Sequence, residues 1–292
     1  MATTNRVYIL AAFVISGIAV IFNIISLSTQ YWITAKITDL TFNTATSSVN
    51  YGLFRGSYER AVPSPSVYDV QMTCSFGENV CMLLCGDKDY RKFTLNEIVS
   101  NDVLNDTDYV SECNKNGYNS KSLLVSNLKT TKNDKSLRTE SDNKETKHFI
   151  NAGVWLSTVV CLILATFIGL IASALAFYNT ISNPIQFYFS VGSLYIYNAL
   201  AFSFTLLYMI FWGALYNIVI FHEVGLADTL VGSMTSDKNA VLGYSYWISF
   251  VPLLFYGGSI GVLFYRDYLN AKDPKNKTVH LEESTDPNIY LY

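Results

Sequence analysis

Two runs, Ile150 to Phe177 and Phe187 to Phe221, stand almost back to back between His148 and His222, and neither contains an Asp, Glu, Lys, Arg or His. Crossing a hydrocarbon layer of about 30 Å takes roughly 20 apolar residues, and a soluble core helix rarely stays uncharged beyond about 12 to 14. The pair therefore reads as a membrane hairpin. Lipid offers no partner for backbone N–H and C=O groups, so each run is expected to be helical, with its peptide groups bonded internally. Asn179-Thr180-Ile181-Ser182-Asn183-Pro184 supplies the turn, because Asn and Ser satisfy local backbone groups and Pro184 cannot continue the second helix.

Two further apolar runs complete the plan. Val7 to Thr29 follows a single Arg6, and Gly243 to Tyr265 precedes a charged tail. The first run is longer than a secretory h-region and no small-x-small cleavage site follows it, so it reads as a retained signal anchor. The expected organisation is a short N-terminus (1–6), span one (7–29), a large loop (30–148), span two (149–177), a short loop (178–186), span three (187–221), a second loop (222–242), span four (243–265) and a tail (266–292). Only 15% of the 292 residues are charged, against the roughly 25% usual for soluble domains, which agrees with a membrane protein. A net charge of −3 and the lack of any dense Lys/Arg block argue against nucleic acid as a partner.

The cysteines bear on orientation. Cys74, Cys81, Cys85 and Cys113 fall within forty residues of the large loop, and Cys161 lies alone in span two. Two disulfides, with three possible pairings, and one buried thiol are expected. Lys and Arg do not settle the topology: the tail carries Arg266, Lys272, Lys275 and Lys277, but Lys135, Arg138, Lys144 and Lys147 precede span two. Long loops translocate largely regardless of charge. Clustered cysteines and the sequon Asn105-Asp106-Thr107 both belong to an oxidising, glycosylating lumen. The large loop is therefore expected outside and both termini in the cytosol of a plasma-membrane protein that uses the secretory pathway. A second sequon, Asn276-Lys277-Thr278, is then silent. Residues 114–147 are Lys-, Asn-, Ser- and Thr-rich, too poor in apolar surface to offset their ordering entropy, and read as a disordered insertion.

Trp32, Trp155, Trp212 and Trp247 lie near the outer ends of their spans and are expected to form an interfacial belt, with Tyr178, Tyr188, Tyr265 and Tyr268 at the opposite boundary. Ala165, Gly169 and Ser173 on span two, and Gly257 and Gly261 on span four, recur every fourth residue, as close helix packing in lipid requires. Pro252 is expected to kink the fourth helix. Asn23, Asn198 and Asn217 are the most polar side chains in the spans and are expected to bridge helices. No ionisable residue stands within a span, which argues against a pump or a carrier with a charged midplane site. His148, His222 and His280 are far apart, and His222-Glu223 has no metal-ligand spacing. With no Gly-rich phosphate loop and no recognisable nucleophile setting, neither catalysis, a metal site nor a cofactor is expected.

Two stretches outside the spans stand out. Asn50-Tyr51-Gly52-Leu53-Phe54-Arg55-Gly56 reads as a short strand entering a tight turn, with Gly56 free to take positive φ. The C-terminal Tyr290-Leu291-Tyr292 has the form of a PDZ ligand, a free carboxylate with large apolar residues that can add as a strand to a groove.

Tyr51-Gly52-Leu53-Phe54-Arg55-Gly56 resembles the Tyr-Gly-Leu-Phe segment of the clarins, a four-span family of the claudin-like group. Trp32-Ile33 after the first span, Phe177-Tyr178-Asn179 with Pro184 between the middle spans, and Tyr246-Trp247 at the start of the fourth fall in the same topological slots. The sequence departs from claudins proper in having Phe54 where they have a second Trp, and its first loop cysteine, Cys74, comes about twenty residues later. The fold class expected is an all-α four-helix membrane bundle with a small disulfide-bonded extracellular cap that contains short β-strands. The resemblance implies a non-enzymatic membrane organiser of sensory-cell or synaptic complexes, joined to PDZ scaffolds, actin and membrane channels or complexes. The alternative readings are an auxiliary channel subunit and a claudin-like adhesion protein.

Overall fold

A computed structural model of the chain describes residues 2–39, 46–60, 66–100, 149–181, 189–230 and 234–272. Cys113, Asn105, the 114–147 segment, Tyr188, Pro184, both sequons and Tyr290 to Tyr292 lie outside the described residues. Helix α1 runs Ala2–Ser28, strands β1 to β5 run Ile33–Asp39, Thr46–Tyr51, Arg55–Arg60, Ser66–Ser75 and Val80–Cys85, and helix α2 runs Lys88–Ser100. After the large loop come β6 (Ile150–Asn151), α3 (Ala152–Ile181) and α4 (Val191–Leu215), the last continuing as a π-helical turn over Tyr216–Ile220. A short α5 (Ala227–Leu230), β7 (Met234–Thr235), β8 (Ala240–Leu242), α6 (Tyr244–Ile248) and α7 (Phe250–Lys272) complete the described chain.

Four helical segments are long and apolar enough to cross a membrane: Arg6–Ser28, Ala152–Ile181, Val191–Ile220 and Tyr244–Lys272. Their outward residues are themselves apolar, among them Val7, Val14, Ile21, Phe167, Ile218, Leu254 and Phe264. A water-soluble bundle presents a polar outer face to solvent. Here the outward face has no such cover, so the chain is a multi-pass membrane protein.

The chain divides into two compact units. Unit 1 comprises residues 1–24, 162–206 and 249–292, and its described part is a four-helix bundle. One core layer contains Ile9, Ala12, Ala176, Leu194 and Leu263, and another contains Ala19, Ala201 and Tyr256. The span-two stripe is buried: Ala165 is fully enclosed, a Cβ on Gly169 would collide with the Tyr256 hydroxyl, and a Cβ on Gly17 would sit 3.4 Å from Ser173 Oγ. The span-four pair is different. Gly257 faces Phe202 at an ordinary 3.6 Å, and Gly261 is exposed with nothing within 4 Å of a Cβ position. The packed stripe of α7 is instead Pro252, Tyr256, Ser259 and Leu263, because the four-residue spacing of two glycines does not fix which side of the helix turns inward. Pro252 lies in the first turn of α7, and the helix is interrupted at Ser249, three residues earlier. A proline so placed needs no intrahelical N–H bond.

Unit 2 comprises residues 25–161 and 207–248 and contains the expected disulfide and strands, the strands forming a larger sheet than a small cap. It holds an eight-stranded sheet in the order β6-β5-β4-β3-β2-β1-β7, with β8 also on β1. All named strand pairs are antiparallel. Alternation directs the packing: Ile33, Ala35 and Ile37 of β1, Ser47, Val49 and Tyr51 of β2, and Gly56 and Tyr58 of β3 are buried while their neighbours are less so. This is the period-two pattern of strands with one covered face. Met82 and Leu84 of β5 pack with Leu95 and Ile98 of α2 and with Ala227 and Leu230 of α5.

The segment 223–242 reaches both edges of the sheet. Leu226 forms a parallel bridge to Leu83 on the free side of β5, whereas Met234 and Thr235 pair with β1. A flat sheet would separate those two positions by six strand steps, about 29 Å at about 4.8 Å each. Eight residues, four of them helical, reach only roughly 20 Å. The sheet must therefore curl, and the same segment shields its two open edges.

Candidate functional site

Trp32, Tyr51 to Gly56 and Tyr246-Trp247 gather in unit 2, where strands and helix ends meet, whereas Phe177-Tyr178-Asn179 belong to unit 1. Trp32 follows α1 and is completely buried. Its Nε1–H donates to the Ser26 carbonyl at 2.8 Å, and its ring makes edge contacts with Trp212, Tyr208 and Tyr246 at centroid distances of 5.3, 6.3 and 6.3 Å. Its backbone N–H donates to Tyr51 O and its carbonyl accepts from Gly243 N–H. One residue thus fastens β2, the end of α1 and the start of α6.

Tyr51 and Gly56 face each other across the β2–β3 hairpin. The turn between them is closed by Gly52 N–H donating to Arg55 O at 2.9 Å. Gly56 does not take the positive φ expected of it; the left-handed glycines of the described chain are Gly86 and Gly225. What demands glycine at 56 is closeness: a Cβ there would strike Tyr51 and the Asn50 carbonyl, and one at Gly52 would strike the Thr29 carbonyl. The Tyr51 ring is wholly enclosed and its hydroxyl donates to Val224 O at 3.1 Å. Burial first, and the nearby Glu223 charge second, push its phenol far above the usual tyrosine range. Leu53 is buried and Phe54 exposed. Trp155 reads both, donating to Leu53 O at 2.8 Å and meeting the Phe54 ring edge-on at 6.2 Å.

The start of α3 is fixed in the same neighbourhood. Asn151 Oδ1 accepts from Val154 N–H at 3.0 Å, a side-chain cap, and Asn79 Oδ1 accepts from Gly153 N–H at 2.9 Å. Asn79 supplies that oxygen from the β4–β5 turn, where it adopts φ 55°, a conformation Asn tolerates better than most residues. The strands of that turn are joined by a disulfide between Cys74 and Cys81, directly opposite each other. Cys85 is disulfide-bonded as well, and Cys161 is a free buried thiol.

This arrangement replaces the expected tryptophan belt. Trp32 and Trp212 are fully buried and Trp155 is hydrogen-bonded to a loop carbonyl, leaving Trp247, 57% exposed, in the position of a belt residue. Proximity to a span end gives a tryptophan the right depth but does not say whether it turns towards lipid or the interior. At the other span ends Tyr178, Tyr265 and Tyr268 are exposed. Of the three intramembrane asparagines, Asn23 reaches another helix, its Nδ2 lying 3.4 Å from the Tyr256 hydroxyl. Asn198 and Asn217 instead donate to carbonyls of their own helix, Leu194 and Gly213.

His222 Nδ1 lies 3.1 Å from Asp237 Oδ1, with both side chains about half exposed. No group of three His, Cys, Asp or Glu among the described residues could hold a metal ion. Beside this buried cluster Phe54 and Arg55 are exposed. No protein-family model matches the chain, and no curated protein matches it.

Proposed function

We propose that this chain is a clarin-like, non-enzymatic membrane organiser, holding the sheet outside the cell and leaving both termini in the cytosol of the plasma membrane. The observation that supports this reading most is the concentration of the motif residues Trp32, Tyr51, Gly52, Leu53 and Gly56 in one buried hub with purely structural contacts. A hub of this kind suits a protein whose work is to hold a surface in place for a partner. The disulfides favour the outside for the sheet, because they form and persist in oxidising compartments. In this reading Asn105 is glycosylated, and Tyr290, Leu291 and Tyr292 dock a PDZ scaffold that leads to actin. The outer sheet meets membrane complexes or channels, of the kind found in sensory or synaptic membranes, while the helices face lipid.

Proximity labelling from a cytosolic tag, comparing the full chain with one lacking the last three residues, tests the proposal. Enrichment of PDZ scaffolds that depends on Tyr290 to Tyr292 supports it. Equal enrichment with and without them removes the scaffold link, and a new whole-cell conductance on expression of this chain alone would favour a pore instead.

A further inference from the structure

The bundle of unit 1 contains a polar layer between two apolar ones. Its apolar layers hold Ala12, Leu194, Leu263 and Ala176 on one side and Ala19, Ala201 and Tyr256 on the other. Ser16 stands four residues from Ala12 and three from Ala19; Asn198 stands four from Leu194 and three from Ala201; Ser259 stands four from Leu263 and three from Tyr256. The same four-and-three step on three helices sets Ser16, Asn198 and Ser259 at one level on the inward faces. Ser173, three residues from Ala176, joins them from α3, beside Gly17 of α1. Ser16 and Ser259 are 0% exposed, Asn198 1% and Ser173 8%.

The hydrogen bonds of this layer are unbalanced. Asn198 gives its Nδ2–H to Leu194 O at 2.8 Å, but its Oδ1 is buried without a partner, as is Ser259 Oγ. Ser16 spends its hydroxyl proton on Ala12 O at 2.8 Å, leaving oxygen lone pairs. The layer therefore offers acceptors in excess, and the buried Ser259 hydroxyl is free to donate. Buried polar groups in native proteins find partners almost without exception, and hydrocarbon supplies none.

We infer that the Ser16, Ser173, Asn198 and Ser259 layer is a binding site for an ordered water molecule inside the bundle. Water donates to Asn198 Oδ1 and Ser16 Oγ and accepts from Ser259 Oγ–H, reaching the about three bonds usual for a buried water. The site stands on packing and hydrogen bonds alone and is independent of the clarin-like reading.

X-ray hydroxyl-radical footprinting of the full chain in lipid nanodiscs, in oxygen-18 water, tests it. Radicals arise from the bound water itself, so the buried reporters Tyr256, Leu194 and Leu263 are expected to take up label several-fold above the equally buried Leu162. In Asn198→Leu/Ser259→Ala the label falls to the Leu162 level, and in the milder Ser259→Ala it falls part of the way. Absence of excess label in the wild type overturns the inference without reference to any variant, as does label undiminished in Ser259→Ala. A melting temperature that rises with sodium but not with choline, and only when Asn198 is present, also overturns it by identifying the ligand as a cation.

Discussion

Trp32 and Trp247 lie near the ends of their spans in unit 2, yet the first is entirely enclosed and the second is 57% exposed. Truncating a buried aromatic removes its packing and leaves a cavity, at a cost of about 3 to 5 kcal/mol. Trp32→Ala is therefore expected to lower stability by that amount in thermal unfolding of the detergent-solubilised protein, and Trp247→Ala by less than about 0.5 kcal/mol. Tyr51 carries a pH prediction. Its phenol is raised in the folded state, by burial and then by Glu223, so its contribution is fully present below the ordinary tyrosine value of about 10 and is lost as pH rises above it. Alkaline unfolding of the wild type is expected to steepen above pH about 10, and Tyr51→Phe to remove that component. An unchanged alkaline profile in Tyr51→Phe would locate the sensitivity elsewhere.

Hairpins supply the tests at the scale of the element. The β4–β5 turn is tied by Cys74–Cys81, seven residues apart, and a loop that short loses little chain entropy on closure. Replacing both cysteines by serine is expected to cost about 2 kcal/mol, a modest drop in melting temperature with the fold retained. The β2–β3 hairpin is less forgiving, because a methyl at Gly52 meets the rigid Thr29 carbonyl. Gly52→Ala is expected to abolish detergent-stable monodisperse protein, whereas Gly261→Ala, facing open space, leaves the size-exclusion profile unchanged. The hairpin motif was visible in the sequence as glycines around apolar residues. The reason for glycine at 56 was not, because the colliding groups belong to the paired strand and no rule of single-residue φ preference contains them.

For the molecule as a whole, the governing fact is that its helices turn apolar side chains outward. Phe167, near the middle of α3, is 60% exposed. Lysine there would have to enter hydrocarbon, at roughly 2.5 to 3.5 kcal/mol on the insertion scale. Phe167→Lys is expected to reduce membrane insertion of span two, read as the inserted fraction in a glycosylation-site reporter. An equal inserted fraction for wild type and variant would mean that this face is covered by protein.

Charge-free length is a property of contiguous residues, so the four spans and the cysteine-bearing loop between the first two follow from the sequence alone. The requirement that lipid-exposed backbone be internally bonded makes those spans helical whatever surrounds them. Which way each residue turns is not contiguous information. The burial of Trp32 against Trp212 and the bond from Tyr51 to Val224 across 173 residues were decided by the tertiary structure. Each depends on partners that only the packed chain brings together.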